Sequence, residues 1–316
     1  MKKSTFFRFS LPFWKKLCYN EYNERVCALD KEASMPAIYA HLRFGEEVAK
    51  TLPTPYTELI GQFSEAFALG TQGPDILFYH HPMKKNDIRK RGTYLHTLSG
   101  EEFFLGQGEK LLENAPDGDT EALLTANGAF AAYTCGFLCH FTLDTICHPY
   151  IDEHSCEEVS HGKIESEFDK YLLRADGKPI RGYNTATPIL DKNGTKEAVA
   201  KTLDVPEESI SLSIKTMRKI NGWFSKKCEA FHSVAHVFLK IAKMERKFGD
   251  MFLHKKDDPL CEAPNKTLTE KLKGAIPKAS ALIQEYFHNL KAWVKNKKSE
   301  NELLRYNFSG IITTEE

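Results

Sequence analysis

The chain has 316 residues, a length that suits either two average domains or one large domain. Its 43 Lys and Arg residues balance 43 Asp and Glu residues, so it lacks the basic excess of proteins that bind nucleic-acid polymers. Hydrophobic residues make up 41% of the sequence, which excludes a disordered chain. No apolar stretch reaches the ~18 residues of a membrane-spanning helix, which leaves at most peripheral membrane contact.

The cysteines and the N-terminus bear on the cellular compartment. The eight cysteines are widely spaced and form no CxxC motif, which indicates reduced thiols rather than a disulfide framework. Arg8 and Pro12 interrupt an early aromatic run, and no small-residue cleavage site follows, so a secretory signal is not expected. These features favour a cytoplasmic protein and leave secretion open. Residues 1–34 are interpreted as an N-terminal extension, and residues 35–316 as one domain.

Helical signals dominate from residue 35 onward. Apolar spacing, capping residues and breaker clusters predict helices over about 38–48 (interrupted at Gly45), 55–69, 119–147, 160–173, 204–248 and 268–296. The third is strongly apolar, so it is expected in the core, and Pro149 is expected to end it. A long loop is expected over 174–194. Because no alternating strand pattern occurs, the predicted fold is all-α and multi-helical.

The third helix carries the most informative motif. His140, Asp144 and His148 follow one another at four-residue intervals and therefore share one helical face. Upstream, Ala132 and Gly136 on the same face are small residues that leave room for another group. The two histidines would lie ~12 Å apart along the axis, too far to share one ion unless the helix ends early. Asp144 between them can bridge two ions, so the spacing favours a metal cluster.

A second imidazole and carboxylate pair follows, with the same spacing, at His161 and Glu165. Neutral imidazoles and carboxylates are the ligands of zinc sites that keep a position open for water. Bound zinc lowers the pKa of such a water to about 7. Further candidate ligands stand upstream, at His41, Asp75 and His96. His80 and His81 compete with His96 as the ligand that follows the aspartate.

Several of the candidate histidines and cysteines could instead have a purely structural role. A single histidine on an apolar helix is usually a hydrogen-bonded core residue. Three titratable groups on one apolar face are costly to bury without a metal, which favours metal binding here. His232 and His236 lack the glutamate of an HExxH motif, so a structural role is preferred for them. Cys135, Cys139 and Cys147 could ligate zinc as thiolates, but the role of small buried hydrophobic residues is preferred.

The pattern resembles the bacterial zinc-dependent phospholipase C family, an all-α fold with a trinuclear zinc site. The resemblance covers about residues 35–250, and the segments Met35–His41 and Gly73–Tyr79 look like those of its shorter relatives. It implies a catalytic role for Asp75, as general base or as the residue that orients the attacking water. It also implies three sets of zinc ligands: Asp75, His96, His140 and Asp144 for the first ion; His148, His161 and Glu165 for the second; and His41 with the bridging Asp144 for the third.

The sequence also departs from the secreted members of that family. In those enzymes the aspartate and the next histidine stand six residues apart, whereas Asp144 and His148 are four apart. They also use a mature N-terminal tryptophan as a ligand, whereas the nearest tryptophan here is Trp14, within the extension. One hypothesis is translation from Met35 followed by methionine removal, which would expose the amine of Pro36, five residues before His41.

The leading hypothesis is a zinc-dependent phosphodiester hydrolase of the phospholipase C type, with two to three zinc ions. Its substrate would be a phospholipid or another small phosphoester. A nuclease or nucleotidase on the same zinc scaffold is the alternative enzyme, although the neutral net charge argues against a nucleic-acid polymer as its partner. A catalytically inactive, metal-stabilised interaction protein is the alternative from a different functional class.

Overall fold

The computed structural model describes residues 38–241, 253 and 256–313. Three expectations therefore lie outside the described residues: the extension over residues 1–34, the start at Met35 and the last part of the helices expected to continue to about residue 248. Within the described ranges the chain forms twelve α-helices and three short 3-10 helices, with isolated β-bridges in place of strands. The prediction of an all-α fold is confirmed.

The α-helices are defined here in chain order: α1 (Tyr39–Ala49), α2 (Tyr56–Gln62), α3 (Ser64–Gly70), α4 (Asp87–Leu95), α5 (Gly100–Leu112), α6 (Thr120–Asn127), α7 (Ala129–His154), α8 (His161–Ala175), α9 (Thr195–Leu203), α10 (Glu207–Phe224), α11 (Glu229–Ile241) and α12 (Glu262–Asn296). The 3-10 helices span Gly73–Tyr79, Pro259–Cys261 and Glu302–Arg305. The longest elements are α12, with 35 residues, and α7, with 26 residues.

Helix α7 lies at the centre of the fold, with α1, α3, α9 and α12 packed around it. Every residue from Phe130 to Thr145 is buried, as expected for a helix that is apolar on all sides. The predicted end at Pro149 is wrong, because α7 continues to His154. A proline removes one hydrogen bond and can bend a helix without ending it. The predicted start is also too early, because Gly128, with a φ of 45°, separates α6 from α7.

The small residues of α7 serve helix packing. A Cβ atom at Gly136 would lie 2.2 Å from the carbonyl oxygen of Phe67, and one at Gly70 would lie 2.3 Å from that of Tyr133. Helices α3 and α7 therefore cross with their backbones in contact. The room that Gly136 provides on this face is filled by the backbone of α3.

Several other boundaries differ from the prediction. The expected helix over 55–69 is divided at Phe63 into α2 and α3, while α4 and α5 were not predicted. Helix α12 begins at Glu262 rather than near 268. The loop expected over 174–194 agrees with the gap between α8 and α9. Among the described helices, none is long and apolar enough to span a membrane alone; α6 and α7 together meet that criterion but are bent by 109°.

Candidate metal centre

Eight titratable side chains converge beside α7. They form three groups, in each of which the potential ligand atoms lie within 4.8 Å of one another: His41, His140 and Asp144; Asp75, His96 and His140; and His148, His161 and Glu165. The structure thus brings together all eight residues proposed as ligands from the sequence. Their roles as ligands stay predictions.

Five segments of the chain supply these side chains. Helix α7 presents three of them from one face, and α8 presents two that are one turn apart. The others come from α1, from the 3-10 helix Gly73–Tyr79 and from the residue that caps the C-terminus of α4, which are His41, Asp75 and His96 respectively. Packing of these elements around α7 therefore builds the site.

Asp144 lies at the centre of the cluster, with only 3% of its side chain exposed. Its Oδ1 is 3.4 Å from Nε2 of His41 and 3.5 Å from Nε2 of His148, whereas its Oδ2 is 3.1 Å from Nε2 of His140. Burial alone would raise the pKa of Asp144, but the imidazoles of His140, His148 and His41 hold that pKa well below its usual range. The carboxylate faces histidines on both sides, which is the geometry required of a bridging ligand.

Asp75 and His96 form the second group together with His140. Oδ1 of Asp75 is 3.0 Å from Nε2 of His96. Gly73, two residues before Asp75, has a φ of 48°, and a Cβ atom there would lie 2.2 Å from Cδ2 of His140. A glycine is therefore required for this segment to approach the His140 ring closely enough to place Asp75 beside it.

Other histidines that the sequence singled out lie in different surroundings. Nδ1 of His80 is 3.3 Å from Oδ1 of Asn86, and its ring packs edge-on against that of His81. Neither belongs to a candidate metal group among the described residues, so the structure places His96 and not these two beside Asp75. His232 donates from Nε2 to the carbonyl oxygen of Lys226 at 2.7 Å, as expected for a structural histidine.

The third group is the most accessible of the three. Oε1 of Glu165 lies 3.3 Å from Nε2 of His161 and 3.6 Å from Nε2 of His148. The exposed fractions of the side chains are 13% for Glu165, 16% for His148 and 33% for His161. Burial opposes protonation of His161, but the carboxylates of Glu165 and Asp152 raise its pKa to about 10. The cluster is thus open to solvent on the side of α8.

Hydrogen bonds orient three of the imidazole rings. In each case Nδ1–H donates to an oxygen outside the cluster: His140 to the carbonyl of Thr71 (3.2 Å), His96 to the carbonyl of Gly92 (2.8 Å) and His161 to Oδ1 of Asp152 (2.9 Å). Such bonds fix the tautomer that directs Nε2 toward a metal. Sequence reasoning missed these partners. Two are backbone carbonyls, which no residue pattern reveals.

The donor atoms suit a bound zinc ion. Burial and the neighbouring His140 lower the pKa of His41 to about 4, so this imidazole is neutral at pH 7. Its Nδ1 is buried without a hydrogen-bond partner, and so is Nε2 of His140, although the latter lies close to Asp144. Buried polar atoms are normally paired, so an unpaired Nε2 of His140 at 3.1 Å from a carboxylate oxygen is expected where a cation completes the site. Imidazole and carboxylate ligands are those of zinc centres.

A cavity of about 30 Å³ adjoins the cluster. It is lined by four of the candidate ligands and by apolar groups that include Leu143, Ile151 and Phe168. Cys147 also lines it, but burial raises the pKa of this thiol to about 12. Cys147 belongs to none of the candidate metal groups among the described residues, which agrees with its interpretation as a small buried hydrophobic residue.

Asp169, which the sequence did not single out, joins α1 to α8. Its carboxylate accepts the backbone N–H groups of Ile38 (2.9 Å), Tyr39 (2.8 Å) and Ala40 (2.7 Å). These amides at the start of α1 lack partners within the helix, so the aspartate caps it. Burial raises the pKa of Asp169 to about 7, against the effect of the three donors. The cap fixes His41, which follows directly, relative to the ligands on α8.

Comparison with known proteins agrees with this geometry. A family model described as zinc dependent phospholipase C matches residues 40–233, a segment that contains all eight candidate ligands. No curated protein and no solved structure matches the chain. The matched segment covers more than half of the sequence. The chain therefore belongs to the zinc-dependent phospholipase C family.

Proposed function

We propose that the protein hydrolyses a phosphodiester bond of a phospholipid and that it does so with two to three bound zinc ions. The observation that carries the proposal is the position of Asp144, whose two oxygens face imidazoles from α1 and from the turns before and after it on its own helix. A carboxylate so placed can join neighbouring ions into one centre. Paired ions can stabilise both the attacking and the leaving oxygens of a phosphate ester.

Each ion would be held as the family resemblance implies. The first would take Asp75, His96, His140 and Asp144; the second His148, His161 and Glu165; and the third His41 and Asp144. When bound, zinc supplies positive charge for the phosphate oxygens and lowers the pKa of water. In support of this assignment, potential ligand atoms of Asp75, His96 and His140 lie within 4.8 Å of one another, as do those of His148, His161 and Glu165, while Asp144 lies with both His140 and His41.

The side chains have separate tasks in this proposal. Asp75, buried and 3.0 Å from His96, would orient the attacking water or accept its proton on a carboxylate oxygen. His140 and His96 are held by carbonyl oxygens, so their rings would stay in place during the reaction. The accessible side formed by His148 and His161 would admit the phosphate group.

An assay of the zinc-loaded full-length chain tests this function. Micelles of phosphatidylcholine, phosphatidylethanolamine or phosphatidylglycerol would be offered separately, with release of diacylglycerol and of the phosphorylated head group as the readouts. Nucleoside monophosphates and single-stranded DNA would be offered in parallel. Asp75→Asn removes the proposed proton acceptor, and Asp87→Asn, on an exposed carboxylate of α4, is the matched control.

We expect diacylglycerol to be released by the wild-type and Asp87→Asn proteins and to fall at least about 100-fold with Asp75→Asn, as for loss of a general base. Turnover of nucleotides without turnover of lipids would instead favour the nucleotidase. Zinc binding without turnover of any phosphoester would favour the inactive, metal-stabilised protein.

A further inference from the structure

The C-terminal turn, residues 306–313, packs against the candidate metal centre although it lies outside the segment that matches the family. The backbone N–H of Gly100 donates to the carbonyl of Tyr306 at 2.8 Å, and the Thr145 hydroxyl donates to the carbonyl of Asn307 at 3.3 Å. The Asn307 side chain then accepts the N–H groups of Ser309 and Ile311, both at 3.0 Å. These bonds fix the turn against α5 and α7.

Phe308 extends from this turn into the interior and is fully buried. Its ring centroid lies 5.2 Å from that of His96 and 5.8 Å from that of His140. It also packs against Phe137 and Phe141 of α7, at 5.9 and 5.1 Å. One aromatic ring therefore contacts two candidate ligands that are far apart in sequence.

The backbone of the turn also lies close to α7 at Gly310, nearer to the C-terminal end of that helix. Gly310 has a φ of 69°, and a Cβ atom there would lie 2.4 Å from Cγ of Pro149 and 2.6 Å from the carbonyl oxygen of Thr145. The turn thus follows α7 from the level of His140 to that of Pro149.

We propose that Phe308 is a positioning residue of the metal centre, which holds the His96 and His140 rings in ligand geometry for the ion of the Asp75 group. The Nδ1 bonds fix one edge of each imidazole, and the Phe308 ring, tilted by 57° to that of His96 and by 46° to that of His140, packs against both rings and restricts their rotation. The apolar shell around a metal site controls solvent access, and loss of outer groups that orient the ligands typically lowers metal affinity 10–100-fold. This inference rests on the zinc centre of the proposed function.

The test uses the full-length chain with Phe308→Ala and Phe308→Leu, the latter retaining apolar volume. Leu304→Ala is the matched control, because Leu304 is buried in the same C-terminal segment and packs near Gly100. Zinc stoichiometry is read by native mass spectrometry, affinity by competition with a chelator, and ligand geometry by the absorption spectrum of the cobalt-substituted protein. Thermal unfolding reports stability in parallel.

We expect Phe308→Ala to lower the affinity for one zinc ion 10–100-fold and to change the absorption spectrum of the cobalt-substituted protein. The effects of Phe308→Leu should be intermediate between those of the wild type and Phe308→Ala. Leu304→Ala should lower the unfolding temperature while leaving the affinities unchanged. Double variants identify which zinc ion is affected. Adding Phe308→Ala to a His96→Ala variant should not lower the zinc affinity further, whereas adding it to a His161→Ala variant should lower the affinity by the full amount.

Three results would overturn the inference: wild-type affinity and spectrum in Phe308→Ala, an equal loss of affinity in Leu304→Ala, or an undiminished effect in the His96→Ala background. A wild-type chain that binds no zinc would overturn the proposed function, and this inference with it. The wild-type measurement therefore separates the two cases.

Discussion

At the level of single residues, Asp144 has contacts that no other candidate ligand shares. It lies within 3.5 Å of imidazole nitrogens from His41, His140 and His148, whereas Glu165 reaches only the imidazoles of its own group. We therefore expect Asp144→Asn to remove two ions and Glu165→Gln to remove one, with correspondingly lower activity for Asp144→Asn. Native mass spectra of the two variants would count the ions.

The control for that comparison is Asp87→Asn, since this aspartate is exposed and belongs to none of the candidate metal groups among the described residues. It should retain the wild-type number of ions. Equal losses in Asp144→Asn and Glu165→Gln would show that Asp144 does not bridge two sites.

The pKa values of the clustered histidines indicate how the stability of the metal-free protein should depend on pH. Burial disfavours the charged form of His140, but Asp144 and Asp75 raise its pKa to about 9, and carboxylates raise that of His161 to about 10. Each of these histidines has a higher pKa in the folded chain than in the unfolded chain, where it is about 6.5. Such a histidine makes its full contribution to stability at pH values below about 6.5. This stabilisation is lost as the pH rises through the folded pKa.

Metal-free protein should therefore unfold at progressively lower temperature as the pH is raised from about 7 to about 10, which calorimetry in the presence of a chelator would measure. His161→Gln removes one of the two groups and should reduce the slope. A midpoint that is constant over this range would contradict the raised pKa values.

At the level of helices, the contact between α3 and α7 depends on the absence of side chains. Gly136→Ala would place a methyl group 2.2 Å from the Phe67 carbonyl, and separating the helices should lower the free energy of unfolding by about 1–3 kcal/mol. Because α7 carries three candidate ligands, zinc affinity should also fall. Urea denaturation and chelator competition would measure the two effects.

Gly274→Ala is the matched control, since this glycine lies within α12 and has nothing within 4 Å of an added Cβ. Alanine is favoured over glycine inside a helix by about 1 kcal/mol, so this variant should be slightly stabilised. If both variants were equally stable, the close crossing of α3 and α7 would not be a constraint on the fold.

The helices also show which parts of the site the sequence could predict. Four-residue spacing identified the ligand face of α7 and the pair on α8, because that spacing repeats along a helix. It could not decide between His96 and His80, since the choice depends on how α4 ends beside the 3-10 helix that carries Asp75. The extension of α7 beyond Pro149 was missed because packing against distant residues outweighs a local preference.

At the level of the whole molecule, the centre joins elements that are distant in sequence. The resemblance to the family predicted the ligands within the matched segment, but the contact of Phe308 with two of them came only from the structure. A phenylalanine in a short C-terminal turn has no spacing or motif that relates it to a metal site. Long-range packing of this kind depends on how α12 returns the chain to α7.

The proposed zinc ions would join five segments of the chain, so their removal should destabilise the fold. An ion that binds only the folded state stabilises it by about 2.7 kcal/mol at 100 times its Kd. For a domain of this size 1 kcal/mol corresponds to roughly 2 °C, so chelation should lower the Tm by at least about 5 °C for one ion and by more for several. Differential scanning calorimetry of zinc-loaded and chelator-treated protein would measure the shift.

The same experiment on Asp144→Asn provides the control for this last prediction. Because the variant should hold fewer ions, its Tm should change less on chelation than that of the wild type. Zinc that left the wild-type Tm unchanged would contradict a centre in which ligands from α1, α7 and α8 are held together by metal. A shift that was the same in the variant and the wild type would place the stabilising ion away from Asp144.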